Sequence, residues 1–471
     1  MARKLSIDPV TRIEGHLKIE VEVDGKVVRD AKSQGMLFRG FEVILKGRDP
    51  RDATQITQRI CGVCPTAHGT ASVRALDVAF GVKPTTNGRI VRNLILGANY
   101  LQSHILHFFH LAALDYVKGP QIPPFTTHYE HGEYWLPRAV NERGVQGYLE
   151  AFNMRRKAQE MLALFGGRMP HVHAFIPGGV TEPVTSDKIV SFYWRLQEIK
   201  KFIEDVYLPL VYSVGKYYRE LFEVGRGWGN LLCYGVFPLD DEEKEFLLKP
   251  GVYTNGKDEP LDVSKITESV KRSWYEDVGD RHPTQGLTRV NPDKGNGYSF
   301  IKAPRYNGLP HEVGPLARMW ITNPVLSKEA NKFLGLPPDK EVRMRDLGEK
   351  AFSIMGRHVA RAEECYLVAK ALEKWLSELK PGEPVNIPTK VPKTGEGYGL
   401  SEAPRGSVGH WIKIKDGVIE HYQIVAPTTW NASPRDSKGQ RGPIEEALVG
   451  VPVPDPTAPI NVLRLVRAFD P

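Results

Sequence analysis

Hydrophobic and polar residues alternate near both ends of the chain, and this pattern predicts strands there. Residues 17–23 place apolar side chains at every second position, and the Asp-Gly pair that follows predicts a hairpin with one buried face. Residues 410–425, HWIKIKDGVIEHYQIV, repeat the pattern around a second Asp-Gly pair. Both ends of the chain are therefore expected to contribute small β elements.

Longer apolar stretches between these ends have the spacing of helices. Residues 225–310 are rich in Gly, Pro and charge, which predicts loops with short strands, and 381–407 and 451–459 are predicted to be irregular. Because strands and helices do not alternate, the pattern predicts an α-rich α+β fold rather than a doubly wound sheet. Helices are predicted at 65–81, about 89–117, about 145–165, about 187–223 with a kink at Pro209, and about 351–379.

The composition is that of a soluble globular protein. Hydrophobic residues make up 41% of the 471 positions and charged residues 25%, so the chain can bury a large core. The formal net charge is +7, but Lys and Arg are interleaved with Asp and Glu. Because no basic run with interleaved aromatic residues occurs, nucleic acid is not an expected partner, and the positive balance fits a docking surface for another protein.

Residues 93–114 lack formal charges, which raises the alternative of a membrane span. The segment contains two asparagines, a glutamine, a serine and three histidines, which are costly in lipid. We therefore expect a buried core helix and no membrane span. The start of the chain has no apolar stretch typical of a secretory signal.

The segment QRICGVCPTAHGT, residues 58–70, carries the candidate metal chemistry. Cys61 and Cys64 have the spacing with which two thiolates bind one metal ion, but a closed site for a soft metal needs four ligands. Pro65 is typical of a first helical position, so Cys64 is expected at a helix cap that lowers the pKa of its thiol. Four cysteines are too few for a disulfide scaffold. Alone, the pair fits a redox disulfide, half of a zinc site or a catalytic metal site.

Several segments, in one order, resemble the large subunit of nickel–iron hydrogenases, and the match covers essentially the whole chain. RICGVCPTAH resembles the N-terminal metal motif of that family. Ser103 stands where many of these enzymes have Asp, and with GPLARMW and AFSIMGRHVARAEE it resembles the selenium-containing subgroup. The other matching segments are DPVTRIEGHLKIEVEV at 8–23, FRGFE at 38–42, GGRMPH at 166–171, APRG at 403–406 and RGPIEEALVGVPVPD at 441–455.

The resemblance implies one large-subunit domain over residues 1–471, with a long central helix bundle, small peripheral β-sheets and a buried Ni–Fe centre where the chain ends meet. Cys61 would be a terminal nickel ligand and Cys64 a bridge between nickel and iron, and the iron would carry CO and cyanide. In this family a second Cys-x-x-Cys pair follows an Asp-Pro, and the present sequence ends at Asp-Pro. The C-terminal metal-binding tail is therefore expected after Pro471.

The resemblance also implies roles for residues around the cysteines. Glu14 would be the first proton acceptor, because splitting H₂ releases protons, although a strand-edge glutamate is the ordinary alternative. Arg405 and Pro404 would lie over the diatomic ligands of the iron, where a guanidinium can donate hydrogen bonds to cyanide. Thr428 would donate to the other cyanide, and His68 would form a hydrogen bond with the bridging sulfur.

Further positions follow from the same resemblance. Glu42 and the backbone carbonyl of Ile424 would bind Mg²⁺ or Fe²⁺ at a second site, since these hard cations prefer oxygen ligands. His171 resembles a residue near the exit for electrons. The three histidines of the 93–114 segment and the two cysteines outside the Cys-x-x-Cys pair are expected to be core residues: His104, His107, His110, Cys233 and Cys365.

The implied function is the reversible oxidation of H₂ to protons and electrons, which would pass to a small subunit with iron–sulfur clusters. A maturation protease and nickel-insertion chaperones are further expected partners. The implied location is the periplasm, with membrane association through the partner subunit, or alternatively the cytoplasm. Two other functions stay open: a non-catalytic scaffold like the quinone-site subunit of respiratory complex I, which lacks the Cys-x-x-Cys, and a truncated, metal-free precursor.

We predict that residue 472 is selenocysteine. Selenocysteine is encoded by UGA, which ordinary translation takes as a stop codon, so a sequence ending at this residue is expected. The alternative explanation of the ending is disorder or trimming of the chain. A selenol is more acidic than a thiol, so it would be a deprotonated nickel ligand and a fast proton relay to Glu14. Sequencing the gene tests this: UGA followed in frame by x-x-Cys-x-x-His supports selenium, a Cys codon indicates an ordinary nickel–iron enzyme, and UAA or UAG indicates a chain unable to hold the centre.

Overall fold

The computed structural model describes residues 3–123, 125 and 131–471, in which helices are the longest elements. The helices are α1 Phe41–Ile44, α2 Asp52–Thr57, α3 Pro65–Phe80, α4 Thr86–Leu106, α5 Arg138–Gly166, α6 Ser186–Phe202, α7 Leu208–Tyr217, α8 Pro315–Thr322, α9 Lys328–Leu334, α10 Ile354–Glu378, α11 Pro427–Asn431, α12 Pro443–Leu448 and α13 Ile460–Phe469. The strands are β1 Arg3–Ile7, β2 Leu17–Asp24, β3 Val27–Gly35, β4 Phe175–Ile176, β5 Gly179–Val180, β6 Leu231–Cys233, β7 Val236–Pro238, β8 Phe246–Leu248, β9 Gly251–Thr254, β10 Lys257–Glu259, β11 Ile266–Ser269, β12 Ala303–Tyr306, β13 Thr394–Ala403, β14 Gly406–Lys415 and β15 Val418–Val425.

Four long helices form the centre of the molecule. Helix α4 packs against α5 and α10, and α6 packs against the same two helices. Nearly every residue of α4 is buried, its polar side chains included, as predicted for a core helix. Within the described ranges, none of the helices has the length and apolar character needed to cross a bilayer. With small antiparallel sheets around this bundle, the predicted α-rich α+β fold is confirmed.

Two predicted helices contain a wider, π-helical turn. The helix predicted at about 89–117 begins at Thr86, and its α-helical part ends at Leu106, where the π turn His107–Ala112 follows. The helix predicted at about 187–223 is interrupted by the π turn Ile203–Tyr207. Pro209 is the second residue of α7, which continues directly from this π turn, and its missing N–H leaves the preceding turn without one helical hydrogen bond, so the interruption lies just before the proline.

Both predicted hairpins are confirmed as β2-β3 and β14-β15, and each is extended by a third antiparallel strand to give the orders β1-β2-β3 and β13-β14-β15. The segment 451–459 is irregular but lies beside the N-terminal sheet, because the Val28 N–H donates to the Val451 carbonyl at 3.0 Å. One apolar cluster contains both Val10 and Phe469. This cluster supports a single domain over residues 1–471, which stays a prediction.

The prediction that residues 381–407 are irregular is wrong for 394–403, which form β13. Three glycines at alternate positions weaken the strand pattern in the sequence. They let the strand lie directly on the backbone of α3, where no side chain would fit. A Cβ atom built at Gly395, Gly397 or Gly399 would lie 2.4, 2.4 or 2.0 Å from the carbonyl oxygen of Ala79, Ala75 or Ala71, respectively.

This contact between α3 and β13 brings two parts of the candidate site together. Two strand residues span about 6.6 Å, which matches the rise of about 6 Å over four helical residues. The strand and the helix run in opposite directions, because successive glycines of β13 lie against successively earlier alanines of α3. Followed beyond Gly399, the same contact leads to Ala403 at the end of the strand and to Cys64 at the N-cap of the helix. The sulfur of Cys64 and the side chain of Arg405 therefore come from the same end of one backbone contact.

We predict that Gly399→Ala lowers the melting temperature by a few degrees, whereas Gly295→Ala leaves it unchanged. The added methyl group would lie 2.0 Å from the Ala71 oxygen, and overpacking of this kind costs about 1–3 kcal/mol. At Gly295 nothing lies within 4 Å of an added Cβ. Circular dichroism melts at one heating rate compare the variants, and equal melting temperatures would contradict the close contact.

Candidate metal centre

A cavity of about 520 Å³ lies where the N-terminal loop, the start of α3 and the residues after β13 meet. Both ends of the chain contribute to its wall. Three of the predicted site residues, Pro404, Glu42 and Ile424, are not in this wall. Six predicted residues line it together: Glu14, Cys61, Cys64, His68, Arg405 and Thr428.

Cys61 and Cys64 are buried and not joined by a disulfide, and their Sγ atoms lie 2.7 Å apart. Cys64 is the N-cap of α3, as predicted, and its N–H donates to Cys61 Sγ at 3.1 Å. The hydrogen bond from Cys64 lowers the pKa of the Cys61 thiol, while donating that bond and burial raise the pKa of Cys64. The two sulfurs thus share one proton in this arrangement, and the N–H of Cys64 stabilises a thiolate on Cys61.

Two arginines line the cavity, and Arg405 is the buried one, with 3% of its surface exposed, whereas Arg39 is exposed. The Nη2 of Arg405 lies 2.9 Å from Asp470 Oδ1, and its Nη1 donates to Ser103 Oγ at 3.4 Å. Burial alone would lower the pKa of Arg405, but Asp470 and then the two cysteines raise it above its usual value, so the guanidinium stays charged. Asp470 thus provides a carboxylate for Arg405 although position 103 is serine, a role that the sequence motifs did not reveal.

Glu14 lies on the loop between β1 and β2 and faces the cysteine segment. Its Oε1 accepts a hydrogen bond from the Gly62 N–H at 3.3 Å, and its own N–H donates to the Pro471 carbonyl at 3.2 Å. These contacts place a carboxylate beside the cysteines, where it can accept a proton.

The ends of the chain are tied together next to this point by Asp115. Arg467 Nη1 lies 2.7 and 2.9 Å from its two oxygens, and Arg12 binds the same carboxylate. Burial would raise the pKa of Asp115, but Arg467 and Arg12 lower it to about 2. The charged carboxylate therefore holds the N-terminal loop against α13.

His68 begins a hydrogen-bonded chain that leads away from the cavity. Its Nδ1 lies 3.1 Å from His410 Nε2, His410 Nδ1 lies 2.9 Å from the Tyr422 hydroxyl, and that hydroxyl donates to Ser72 at 3.0 Å. Burial lowers the pKa of His68 to about 3 and that of His410 well below its usual value, so both are neutral. Because Nδ1 is used, Nε2 is the nitrogen left for a sulfur, and the structure shows no such bond among the described residues.

Glu42 and Ile424 lie together, but through the N–H of Ile424 rather than its carbonyl. That N–H donates to Glu42 Oε1 at 3.0 Å. The other oxygen of Glu42 accepts from the Thr288 hydroxyl and lies 3.7 Å from Lys302 Nζ. Glu42 therefore lies against the backbone of Ile424 with a lysine near it, and its role as a metal ligand stays a prediction.

Glu268 is a second carboxylate of this group, and it is buried whereas Glu42 is half-buried. Gln423 donates to Glu268 Oε2 at 2.6 Å, while Oε1 has no hydrogen-bond partner among the described residues. Burial raises the pKa of Glu268 to about 7, Lys302 lowers it and Glu42 raises it. Sequence reasoning missed Glu268 and Lys302 because both lie in the loop-rich region 225–310, outside every motif.

The other predicted residues are found at or beyond the edge of the site. The carbonyl of buried Pro404 accepts from Arg318 at 2.8 Å, and Thr428 lies in the first turn of α11. His171 is half-buried and outside the cavity wall. The expected core residues are buried, with Nε2 of His104, His107 and His110 bonded to Glu364, the Arg467 carbonyl and the Tyr148 carbonyl, and with burial raising the pKa of the Cys233 and Cys365 thiols.

The arrangement combines two soft sulfur ligands, a carboxylate base, a charged guanidinium and a neutral imidazole. Thiolates suit soft and borderline metal ions, and the guanidinium can bind anionic ligands of such a metal. The described residues contain no group of three or more His, Cys, Asp and Glu with ligand geometry. Within the described ranges, Cys61 and Cys64 are therefore a pair of candidate ligands and not a complete ligand set.

Comparisons with known proteins find relatives over nearly the whole chain. The family profile described as nickel-dependent hydrogenase matches residues 39–122 and 117–471, and one described as HoxL-like matches residues 4–34. The periplasmic [NiFeSe] hydrogenase large subunit of Desulfomicrobium baculatum is 58% identical over 99% of this chain and 93% of its own length, and the hydrogenase-2 large chain of Escherichia coli K12 is 35% identical over 100% and 96%.

Solved structures agree in fold over the full length. The H₂-activated [NiFeSe] hydrogenase of Dm. baculatum has a TM-score of 0.98 at 57% identity and covers 100% of this chain and 99% of its own. The oxidized Ni-Fe-Se hydrogenase of D. vulgaris Hildenborough has a TM-score of 0.98 at 54% identity and covers 100% and 98%. With the two cysteines, the base and the guanidinium in one cavity, the chain belongs to the nickel-dependent hydrogenase family.

Proposed function

We propose that this chain is the large subunit of a hydrogenase and catalyses the reversible oxidation of H₂ to protons and electrons. The observation that carries the proposal is the single cavity shared by Cys61, Cys64, Glu14 and Arg405, in a chain that is 58% identical to a [NiFeSe] hydrogenase large subunit. The scaffold and the metal-free precursor are less well supported, because neither needs a proton acceptor and a charged guanidinium beside two buried cysteines.

The cavity fits a nickel–iron centre in the chemistry of its donors. Cys61 would hold nickel and Cys64 would bridge nickel and iron, and the centre would supply the site at which H₂ is split. Arg405 would donate to a cyanide on the iron, Pro404 would lie beside these diatomic ligands, CO included, and Thr428 would donate to the second cyanide. The Dm. baculatum and D. vulgaris relatives are [NiFeSe] hydrogenases by name, and selenocysteine at position 472 stays a prediction.

The residues of this chain provide the acid–base and electrostatic parts of the reaction. Glu14 takes up the proton, because its carboxylate accepts a hydrogen bond from the N–H of Gly62, a residue that stands between the two cysteines in the sequence. Arg405 keeps a fixed positive charge, since Asp470 holds one side of its guanidinium. His68 is neutral, and its Nε2 would donate to the sulfur of Cys64, because His410 occupies its other nitrogen.

A second metal site would include Glu42, with Mg²⁺ or Fe²⁺ as the ion. The unpartnered Oε1 of Glu268 supports a cation here, since a buried acceptor without a donor is otherwise costly. Ile424 would contribute its carbonyl, because the N–H and C=O of a strand residue point to the same edge and its N–H already contacts Glu42.

The electrons would leave through a small subunit with iron–sulfur clusters, bound over the exposed apolar side chains near the cavity. Met36, Leu37, Val43 and Ile44 are between 40% and 52% exposed, and Leu37 lines the cavity itself. A maturation protease and nickel-insertion chaperones would assemble the centre. We place the complex in the periplasm, as in the Dm. baculatum relative, with membrane association through the partner subunit.

We predict that Glu14→Gln keeps the metal content while H₂ oxidation and H/D exchange fall by orders of magnitude. The substitution keeps the shape and the hydrogen bond to Gly62 but removes the proton acceptor. Nickel and iron analysis and gas-phase H₂/D₂ exchange of the heterodimer measure both effects. Glu22→Gln, at an exposed position of β2, serves as the control, and near-normal exchange in a metal-loaded Glu14→Gln protein would refute the role of Glu14.

We predict that Arg405→Lys lowers H₂ oxidation sharply with the metal centre assembled. Lysine keeps the charge but cannot bind Asp470 and Ser103 with one rigid fork. Dye-linked H₂ oxidation and metal analysis test this. Wild-type activity in the variant would remove Arg405 from the mechanism.

A further inference from the structure

Arg318 is a completely buried arginine outside the cavity wall, and all five of its N–H groups have acceptors. Its Nε and one Nη2 hydrogen bind the two oxygens of Glu364, each at 2.7 Å. The others bind Glu402 Oε2, the Ala403 carbonyl and the Pro404 carbonyl, each at 2.8 Å. One side chain thus holds the two carbonyls that immediately precede Arg405.

Glu364 connects the same arginine to the helix on the opposite side of Arg405. His104 Nε2 lies 2.8 Å from Glu364 Oε1, and His104 follows Ser103, whose hydroxyl accepts from Arg405 at 3.4 Å. Burial would raise the pKa of Glu364, but Arg318 and His104 lower it to about 2. The pair of Arg318 and Glu364 is therefore charged and reaches both partners of the contact between Arg405 and Ser103.

The backbone around Arg405 is also held by the start of helix α8, which contains Arg318. A Cβ atom at Gly314 would lie 2.9 Å from the Arg405 carbonyl oxygen, and Gly314 has a φ of +124°. Only glycine allows this approach. Helix α8 therefore contacts residues 403–405 through its N-cap and through Arg318.

We propose that Arg318 and Glu364 are positioning residues for Arg405, which fix its backbone and the Ser103 helix at one separation and so set where the guanidinium lies. The inference rests on the proposed function, in which Arg405 acts at the metal centre. A buried ion pair is weak evidence for stability, because an apolar replacement can be equally stable, whereas five directed hydrogen bonds specify a position.

A double-mutant cycle in the metal-loaded heterodimer tests the proposal. We expect Arg318→Lys to lower H₂ oxidation about 10- to 100-fold, as expected for a displaced catalytic group. In an Arg405→Lys background the same substitution should lower activity less than about two-fold, because both changes act through one guanidinium. Equal fold losses in both backgrounds would mean that Arg318 acts independently of Arg405 and would overturn the proposal.

The matched control is Arg92→Lys. Arg92 is also buried and binds one carboxylate, that of Asp77, and two backbone carbonyls, but it lies outside the cavity wall. We expect its substitution to lower activity equally, if at all, with and without Arg405→Lys. If Arg318→Lys does not fold, Glu364→Gln takes its place in the cycle, because it removes the charge that orients Arg318.

Crystal structures of the variants give a readout independent of activity. We expect the contact between Arg405 Nη1 and Ser103 Oγ to be lost in Arg318→Lys and kept in Arg92→Lys. An unmoved Arg405 in the Arg318 variant would overturn the proposal. A wild-type heterodimer without H₂ activity would contradict the proposed function alone, since the structures would still show whether Arg318 positions Arg405.

Discussion

Asp115 holds Arg12 and Arg467 on one carboxylate, and the geometry of the candidate centre depends on this contact. Glu14 lies two residues after Arg12, and Asp470 lies three residues after Arg467, so the base and the partner of Arg405 are set by the same ion pair. Bringing residues near the two ends of a 471-residue chain together costs conformational entropy, which the buried contacts must offset. Removing one member of a buried pair typically costs about 3–5 kcal/mol, because the other charge stays unpaired.

Burial divides the polar residues of the site into two classes. Imidazoles become neutral, as His68 and His410 do, because nothing around them compensates the cost of a positive charge. Guanidinium groups stay charged, and Arg318 and Arg405 each lie against a carboxylate. The buried part of the site therefore combines the fixed charge of Arg405, paired with Asp470, with neutral imidazoles, and the charge of this guanidinium changes little across physiological pH.

The sequence alone predicts the fold class, the two terminal hairpins and the Cys64 cap, because these follow from local periodicity and turn residues. Its motifs also predict six of the residues that line the cavity. It does not show that Asp470 binds Arg405, or that GPLARMW and AFSIMGRHVARAEE meet in the ion pair of Arg318 and Glu364, because such contacts join segments far apart in the chain. Glu268 and Lys302 were missed for a similar reason, since their surroundings in sequence are ordinary loops. Strand β13 was missed because three glycines imitate a loop, while in the structure they serve close packing.

The glycines of β13 also affect how the centre responds to changes of sequence elsewhere in the chain. Side-chain contacts between two elements can be relieved by a change of rotamer, whereas a strand that lies directly on helical carbonyls has no side chain in between that could adjust. The separation of the Cys64 and Arg405 backbones is thus determined by direct contact between main-chain atoms. Residues on the outer surfaces of α3 and β13 can vary without altering that length, so the surface can change to suit a new environment while the spacing of the reacting groups stays the same.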